Sequence, residues 1–168
     1  RDNPDFVKDV SKDVLDIIMK EQNTQKAIDY VRSFAKKLLN NQVDISKMTV
    51  SKSLRDDYKN VNQPHIRVTE KIKERNPGSE PKSGDRVPYV FIKTEDPKAK
   101  LSDKAEDPKY VLENSLPVDT LHYLDHGLTN PMCTLFDVFL ENPKKQLFED
   151  IRLKHIHRNN NKSIIYYL

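Results

Sequence analysis

Cysteine, glycine and long apolar runs are scarce in this 168-residue sequence, and each scarcity excludes a class of protein. Cys133 is the single cysteine, so the chain can build neither a disulfide framework nor a cysteine-rich zinc site. We expect this lone thiol to be buried, as in a protein of a reducing, intracellular compartment. No run of about 18 apolar residues occurs, so we expect no membrane-spanning helix.

Catalytic motifs are missing as well. The three glycines stand in turn or helix-end contexts rather than in a phosphate-binding loop, and neither a nucleophile elbow nor HExxH is present. His155 and His157 lack a third ligand nearby and are expected on a solvent-exposed tail. His122 and His126 could chelate zinc weakly but are more typical of a surface or partly packed pair. We therefore assign no catalytic residue, metal site or cofactor to this chain.

The net charge of +3 conceals an uneven distribution along the chain. Residues 36–75 carry 10 basic and 5 acidic side chains, and residues 76–150 carry 9 and 14. Residues 151–168 carry 4 basic side chains and no acidic one. The first and last of these segments are candidates for binding a polyanion, although a solvated helix face gives the same pattern.

Apolar spacing predicts a helical hairpin at the start of the chain. Asn3 before Pro4 is a typical helix opening, and an apolar stripe follows from Phe6 onward. A second helix is predicted to begin near Thr24 and to carry its apolar stripe as far as Leu39. The short polar link between the two helices favours an antiparallel arrangement.

A small sheet and a third helix are predicted beyond the hairpin. Alternating residues over 48–54 and a β-branched run over 87–92 predict two strands. The residues Gln63-Pro64-His65 open a helix, and the breakers of 76–79 end it.

Further helices follow a polar loop at residues 93–104. They are predicted from Asp107-Pro108, over 119–126 and over 131–140. The fold class is therefore α+β and mostly helical: an antiparallel helical hairpin followed by a small β-sheet and further helices.

Nine short segments, each weak alone, resemble in order and spacing the thumb of delta-type, replicative family B DNA polymerases. They are Arg1-Asp2-Asn3, residues 43–47, 63–65, 76–79, 84–90, 105–108, 110–114 and 116–119, and Tyr123-Leu124. The resemblance implies a thumb domain over residues 1–142 and a C-terminal extension of unknown role over residues 143–168. Because the chain opens on Arg1, we expect it to be a piece of a longer protein.

The resemblance also implies what lies outside this chain. The catalytic aspartates of the palm and their Mg²⁺ would precede Arg1, so we expect this fragment alone to be inactive although it comes from a nucleotidyltransferase. The paired cysteine clusters of nuclear members are missing, and Asn, Lys and Ile are abundant, which favours a large DNA virus as the source. The implied location is intracellular, in the nucleus or a viral replication compartment.

A thumb holds duplex of any sequence, so its contacts should go to phosphates. The candidate DNA-binding residues are Lys47, Ser51, Lys52, Gln63, His65, Arg67, Lys71, Arg75 and Arg86. Arg67, Lys71 and Arg75 are spaced four residues apart, so they should form one basic ridge on the third helix, and we expect this ridge to be the main contact. Arg86 has two interpretations: it binds phosphate, or it pairs with a nearby carboxylate and braces the sheet. Residues 151–168 are expected to contribute much less.

The implied partners are double-stranded primer-template DNA and the remaining polymerase domains, with a processivity clamp as a further candidate and no membrane. A different class of function stays open. The acidic segment 76–150 would also suit a non-catalytic interaction module that docks a basic partner or a replication clamp.

Overall fold

The computed structural model describes residues 3–57 and 62–165, with the backbone alone over 162–165. Arg1 and Asp2, which open the first segment of the resemblance, lie outside the described residues. The chain divides into two compact units. Unit 1 contains Arg1–Asp5 and Asp44–Asp119, and unit 2 contains Phe6–Val43 and Thr120–Leu168. Unit 2 is thus assembled from two segments distant in sequence, and no boundary between the units falls at residue 142.

The predicted helical hairpin is present in unit 2. Helix α1 (Asp5–Asp16) continues into a π-helical turn at Ile17–Glu21, and α2 (Thr24–Leu39) follows. The side chain of Asn23 accepts a hydrogen bond of 3.0 Å from the backbone N–H of Lys26, which caps the start of α2 as expected of an Asn at this position.

Aromatic stacking shows that the two helices run antiparallel. Phe6, near the start of α1, stacks on Phe34, near the end of α2, with ring centroids 5.8 Å apart. Both apolar stripes are largely buried: Val10 and Val14 of α1 and Val31 of α2 are at most 1% exposed. Their burial supplies most of the stability of such a pair, at about 1.5–3 kcal/mol per large aliphatic side chain.

Unit 1 is a three-stranded antiparallel sheet with helices around it. Its elements are α3 (Ile45–Met48), β1 (Val50–Ser53), α4 (Pro64–Arg75), β2 (Arg86–Phe91), β3 (Ala105–Glu106) and α5 (Pro108–Glu113). The strand order is β1-β2-β3, with Val50 opposite Tyr89 and Phe91 opposite Ala105. Helix α4 covers one face of the sheet, where Val68 is buried in one cluster with Val87 and Tyr89.

Two elements of unit 1 differ from the prediction. Met48 belongs to the short helix α3 rather than to a strand, because the side chain of Asp44 accepts the backbone N–H of Ser46 and starts a helical turn there. The predicted loop 93–104 ends in a 3-10 turn at Leu101–Lys104, and β3 follows it directly.

The rest of unit 2 is helical. It comprises α6 (Thr120–Tyr123), a π-helical turn (Leu124–Leu128), α7 (Thr129–Phe136), a second π-helical turn (Lys145–Glu149) and α8 (Asp150–Ile165). Residues 151–165, expected to be a solvent-exposed tail, are helical in α8, where Lys154, His157 and Arg158 are exposed and Ile151 is buried. Leu147, Phe148 and Ile151 are at most 7% exposed, and their shared apolar side holds this segment in the unit.

The predicted fold class is confirmed: the chain is mostly helical with one small antiparallel sheet. None of the helices within the described ranges combines the length and the apolar character that crossing a membrane requires.

Candidate nucleic-acid interface

Arg75, the last residue of the predicted basic ridge, binds a carboxylate of its own unit. Its Nη1 and Nη2 donate hydrogen bonds of 2.7 Å to the two carboxylate oxygens of Glu106 on β3. The guanidinium also lies 3.4 Å from the ring centroid of Tyr110, a cation–π contact. Arg75 therefore has its planar face and both terminal nitrogens in use.

Lys71, the middle residue of the ridge, is oriented inward. Its Nζ donates to the backbone oxygens of Asp103 and Ala105, at 2.8 and 2.7 Å, and lies 3.6 Å from a carboxylate oxygen of Glu106. Burial lowers the pKa of Lys71, and the charge of Glu106 only partly opposes that effect. Lys71 thus connects α4 to the third strand rather than to a ligand.

Arg67, the first residue of the ridge, lies among three carboxylates. Its nitrogens are 3.3 Å from Glu70, 3.4 Å from Asp103 and 3.7 Å from Glu74. These pairs are partly exposed, so each contributes little to stability. They nevertheless neutralise the positive charge that a phosphate contact would need.

Arg67, Lys71 and Arg75 are thus all engaged in contacts within unit 1, and their role as the main DNA contact stays a prediction. The three side chains do share one side of α4, but that side faces Leu101–Lys104 and β3. Leu101–Lys104 belong to the predicted polar loop 93–104, and β3 follows that loop. Their carbonyls and carboxylates instead hold the ridge.

Two neutral candidates, His65 and Gln63, lie in and at the start of α4. His65 is fully buried in α4, so its ring cannot reach a phosphate at the surface. Gln63 is the half-buried cap residue of α4, and its side chain does not cap the helix. The DNA-binding roles of His65 and Gln63 stay predictions, and the burial of His65 does not favour its role.

Arg86 and Ser51 are brought together on the outer face of the β1–β2 pair. Arg86 Nε donates to Ser51 Oγ at 3.1 Å, Nη2 donates to the Ser51 backbone oxygen at 2.8 Å, and Nη1 donates to Ser53 Oγ at 3.3 Å. The register produces this arrangement, because Ser53 lies opposite Arg86 and Ser51 is two residues further along β1. We call this cluster, Ser51, Ser53 and Arg86, the β-face cluster.

The β-face cluster bears on the two interpretations of Arg86, of which phosphate binding stays a prediction. The side chain does brace the sheet, but through serine oxygens rather than a carboxylate, so its positive charge is not neutralised by these partners. Ser53 was not among the predicted site residues. The strand register, which places it opposite Arg86, is the signal that would have found it.

Two predicted lysines lie on neighbouring elements. Lys47 is exposed on α3, and Lys52 is half-buried on β1, opposite Val87. Lys52 alternates with Ser51 and Ser53 along the strand, so its side chain leaves from the other face of the sheet. Neither lysine belongs to the β-face cluster by strand geometry.

Residues considered for metal binding do not form a site. Within residues 3–57 and 62–165, no three His, Cys, Asp or Glu side chains are arranged to hold a metal ion. The rings of His122 and His126 lie with centroids 4.8 Å apart, and His155 contacts Asn159. Cys133 is half-buried rather than buried, and desolvation raises the pKa of its thiol.

The fold and the sequence together define the class of protein. The chain belongs to DNA polymerase family B, whose family model matches residues 1–139. This match confirms the predicted resemblance to family B DNA polymerases. The region beyond residue 139, which contains α8, lies outside the match.

The chain is similar in sequence to delta-type and to viral DNA polymerases. The chain is 41% identical over 136 residues to the DNA polymerase delta catalytic subunit of Candida albicans, covering 81% of this chain and 13% of that protein. It is 40% identical over 151 residues to a DNA polymerase of Paramecium bursaria Chlorella virus NY2A, covering 88% and 16%. The chain thus spans less than one fifth of the length of these relatives.

A solved structure shares the fold. The family B DNA polymerase of the hyperthermophilic archaeon Pyrobaculum calidifontis superposes with a TM-score of 0.64 at 22% sequence identity. The superposition covers 88% of this chain and 18% of that one.

Proposed function

We propose that this chain is the thumb segment of a DNA-directed DNA polymerase and holds primer-template duplex through sequence-independent contacts to the phosphate backbone. The polymerase of which it is a segment is a nucleotidyltransferase whose catalytic aspartates and Mg²⁺ lie outside this chain. The proposal places it in the nucleus or in a viral replication compartment. Family membership and the delta-type and viral relatives support this assignment.

The β-face cluster is the observation that carries the proposal. An Arg guanidinium has five N–H groups, and Arg86 uses three of them on Ser51 and Ser53. Two N–H groups therefore remain for a ligand on an exposed side chain whose orientation is already fixed. Such fixed guanidinium groups bind phosphate with little loss of side-chain entropy.

Ser51 adds a second donor at the same place. Its hydroxyl oxygen accepts from Arg86, so the hydroxyl proton can be donated to a phosphate oxygen. Neither group reads a base edge in this role, and contacts to phosphate carry no sequence information. Binding through the β-face cluster is therefore expected to be indifferent to sequence and sensitive to salt.

The acidic segment 76–150 gives little support to the alternative interaction module. Several of its carboxylates already pair with cations of the same unit: Glu106 with Arg75 and Asp119 with Lys104 in unit 1, and Asp125 with Arg152 in unit 2. The negative charge seen along the sequence is consequently divided between two units and partly neutralised.

The test is a titration of labelled duplexes of unrelated sequence at several salt concentrations. We expect similar affinities for all duplexes. Arg86→Ala should flatten the slope of log K against log salt by about one unit, with Ser51→Ala weakening binding and leaving the slope unchanged. Arg86→Lys should recover the slope but only part of the affinity, because an ammonium cannot contact both serines as a guanidinium does.

Lys98→Ala, an exposed lysine in the 93–104 loop, is the matched charge control. Thermal melts of each variant separate a loss of contact from a loss of fold. An Arg86→Ala variant that melts like the parent and binds DNA with an unchanged slope would overturn the β-face assignment.

A further inference from the structure

A groove between α2 and α8 carries positive charge that the proposed function does not use. It is a cavity of about 240 Å³ within unit 2, lined by Lys36, Leu39, Asn40, Asp150, Ile151, Lys154, His155 and Arg158. We call it the α2–α8 groove. Lys36, Lys154 and Arg158 are all exposed, and the last two lie four residues apart, on one side of α8.

The single acid in the lining is already neutralised. Asp150 receives two hydrogen bonds from the guanidinium of Arg32, at 2.9 and 2.7 Å. Arg32 also donates at 3.1 Å to the backbone oxygens of Gln146 and Leu147. The hydrogen bonds from Arg32 lower the pKa of Asp150 to about 2, so the pair stays ionised and balanced at neutral pH.

The remaining charge of the lining is therefore that of three cations on two facing elements. Lys36 comes from α2, and Lys154 and Arg158 come from α8. The two apolar lining residues, Leu39 and Ile151, are only 5% and 7% exposed and offer little surface to an apolar ligand. A ligand that fits must be polyanionic and need no apolar anchor.

We propose that the α2–α8 groove is a second site for the phosphate backbone of DNA, separate from the β-face cluster. Two of its three cations, Lys154 and Arg158, lie beyond the residues that the family model matches. The identity of the polyanion as DNA rests on the proposed function. An amphipathic acidic peptide or an anionic membrane surface fits less well, because the lining offers almost no exposed apolar area. Residues 151–168 contain no acidic side chain that would repel the strand.

The proposal reverses the expectation that residues 151–168 contribute little to binding. Lys154 and Arg158 lie in this segment, and Lys36 precedes them by more than 100 residues. Only the packing of α8 beside α2 brings the three together. Each cation that contacts a phosphate should add about 0.9 to the salt slope for duplex DNA.

The experiment compares Lys36→Ala/Lys154→Ala/Arg158→Ala with a control of equal charge change, Lys8→Ala/Lys12→Ala/Lys20→Ala, whose lysines are exposed elsewhere in unit 2. All six positions are at the surface, and thermal melts confirm the fold. We expect the groove variant to lose about two to three units of salt slope and at least about tenfold in affinity at moderate salt. The control should lose less than about one unit.

Poly-glutamate and phosphatidylserine vesicles are the competing probes for the parent chain. Tighter binding of either probe than of duplex, abolished in the groove variant, would overturn the assignment to DNA. A salt slope equal to that of the control would overturn the site itself. The outcomes separate the two proposals. If the salt slope falls in Arg86→Ala but not in the groove variant, the groove is not a DNA site. If the slope falls in the groove variant but not in Arg86→Ala, the β-face cluster is not a DNA site. No duplex binding by the parent chain removes both.

Discussion

Arg75 and Glu106 form a two-pronged ion pair in which both hydrogen bonds measure 2.7 Å. Glu106 is 3% exposed, so the pair joins α4 to β3 at the edge of the core. Burial acts to raise the pKa of Glu106. The hydrogen bonds from Arg75 and from the Asp107 backbone, together with the charge of Lys71, outweigh it and hold that pKa below its usual range.

Removing Arg75 should lower the free energy of unfolding by more than the loss of a surface ion pair does. In Arg75→Ala, Glu106 stays buried and keeps only Lys71 and the Asp107 backbone N–H as partners. We expect the free energy of unfolding at pH 7 to fall by about 2–3 kcal/mol. Lys73→Ala, an exposed lysine on the same helix, is the control and should change it by less than about 0.5 kcal/mol.

A double-mutant cycle isolates the pair. Arg75→Ala, Glu106→Gln and the double variant are compared by urea unfolding, and we expect a coupling of more than about 1 kcal/mol. Additivity within about 0.5 kcal/mol would mean that the two side chains stabilise the unit independently.

The stability contributed by Glu106 should depend on pH in a defined direction. Its pKa in the folded chain lies below the ordinary value of 4.5, so the contribution is complete above that value. It is lost as the pH falls through the folded-state pKa. The difference in stability between the parent chain and Glu106→Gln should therefore be largest near neutral pH and shrink towards pH 2. Urea midpoints measured from neutral to acid pH test this, and a constant difference would contradict it.

The cations of α4 should not control DNA binding. Arg67→Ala is the cleanest test, because its ion pairs are partly exposed and their loss costs less than about 1 kcal/mol. We expect its salt slope to match that of the parent chain. Lys71→Ala leaves the backbone oxygens of Asp103 and Ala105 without this donor, so it should lower stability by about 1–2 kcal/mol without altering the slope. A slope reduced by about one unit in Arg67→Ala would restore the basic ridge as a contact.

Gly127 is required by packing rather than by its backbone angles. A Cβ at this position would lie 3.3 Å from Phe6 Cζ and 3.7 Å from Val7 Cγ2. Phe6 cannot easily retreat, since it stacks on Phe34 and meets Tyr123 edge-on. We expect Gly127→Ala to destabilise the chain by about 1 kcal/mol and Gly127→Val by about 3 kcal/mol.

Gly78→Ala is the contrasting control for Gly127. Nothing lies within 4 Å of a Cβ there, but φ is +96°, so its cost of about 1 kcal/mol comes from backbone strain. Thermal melts compare the two sites. A Gly127→Val variant as stable as the parent would show that Phe6 can move aside.

The bounds of the longer elements could be predicted because their signals are local. Asn23 before Thr24 marks the start of α2, and Pro64 and Asn76 bracket α4, all within one residue of the observed ends. Strand β3 could not be found in this way. Two residues cannot show an alternating pattern, and β3 exists only because Phe91 and Val90 pair with it.

The function of the α4 cations was harder to predict than the helix itself. Four-residue spacing places Arg67, Lys71 and Arg75 on one side but does not reveal what that side faces. That side faces β3, whose Glu106 lies 31 residues beyond Arg75 in the sequence. Arg86 and Ser51 were predicted individually, yet their contact depends on strand register across 35 residues.

The discontinuous make-up of unit 2 has a consequence for how the chain folds. Arg32 binds Asp150, which lies 118 residues further along the chain, so α2 cannot acquire this partner until most of the segment has left the ribosome. Residues 44–119 are complete earlier and hold their own sheet and core. During synthesis unit 1 should therefore become protease-resistant first. Until α8 is made, the hairpin of α1 and α2 keeps part of its apolar surface exposed to solvent. Closing that long loop is the step expected to limit the folding rate, and the interval before it is when the chain most needs a chaperone.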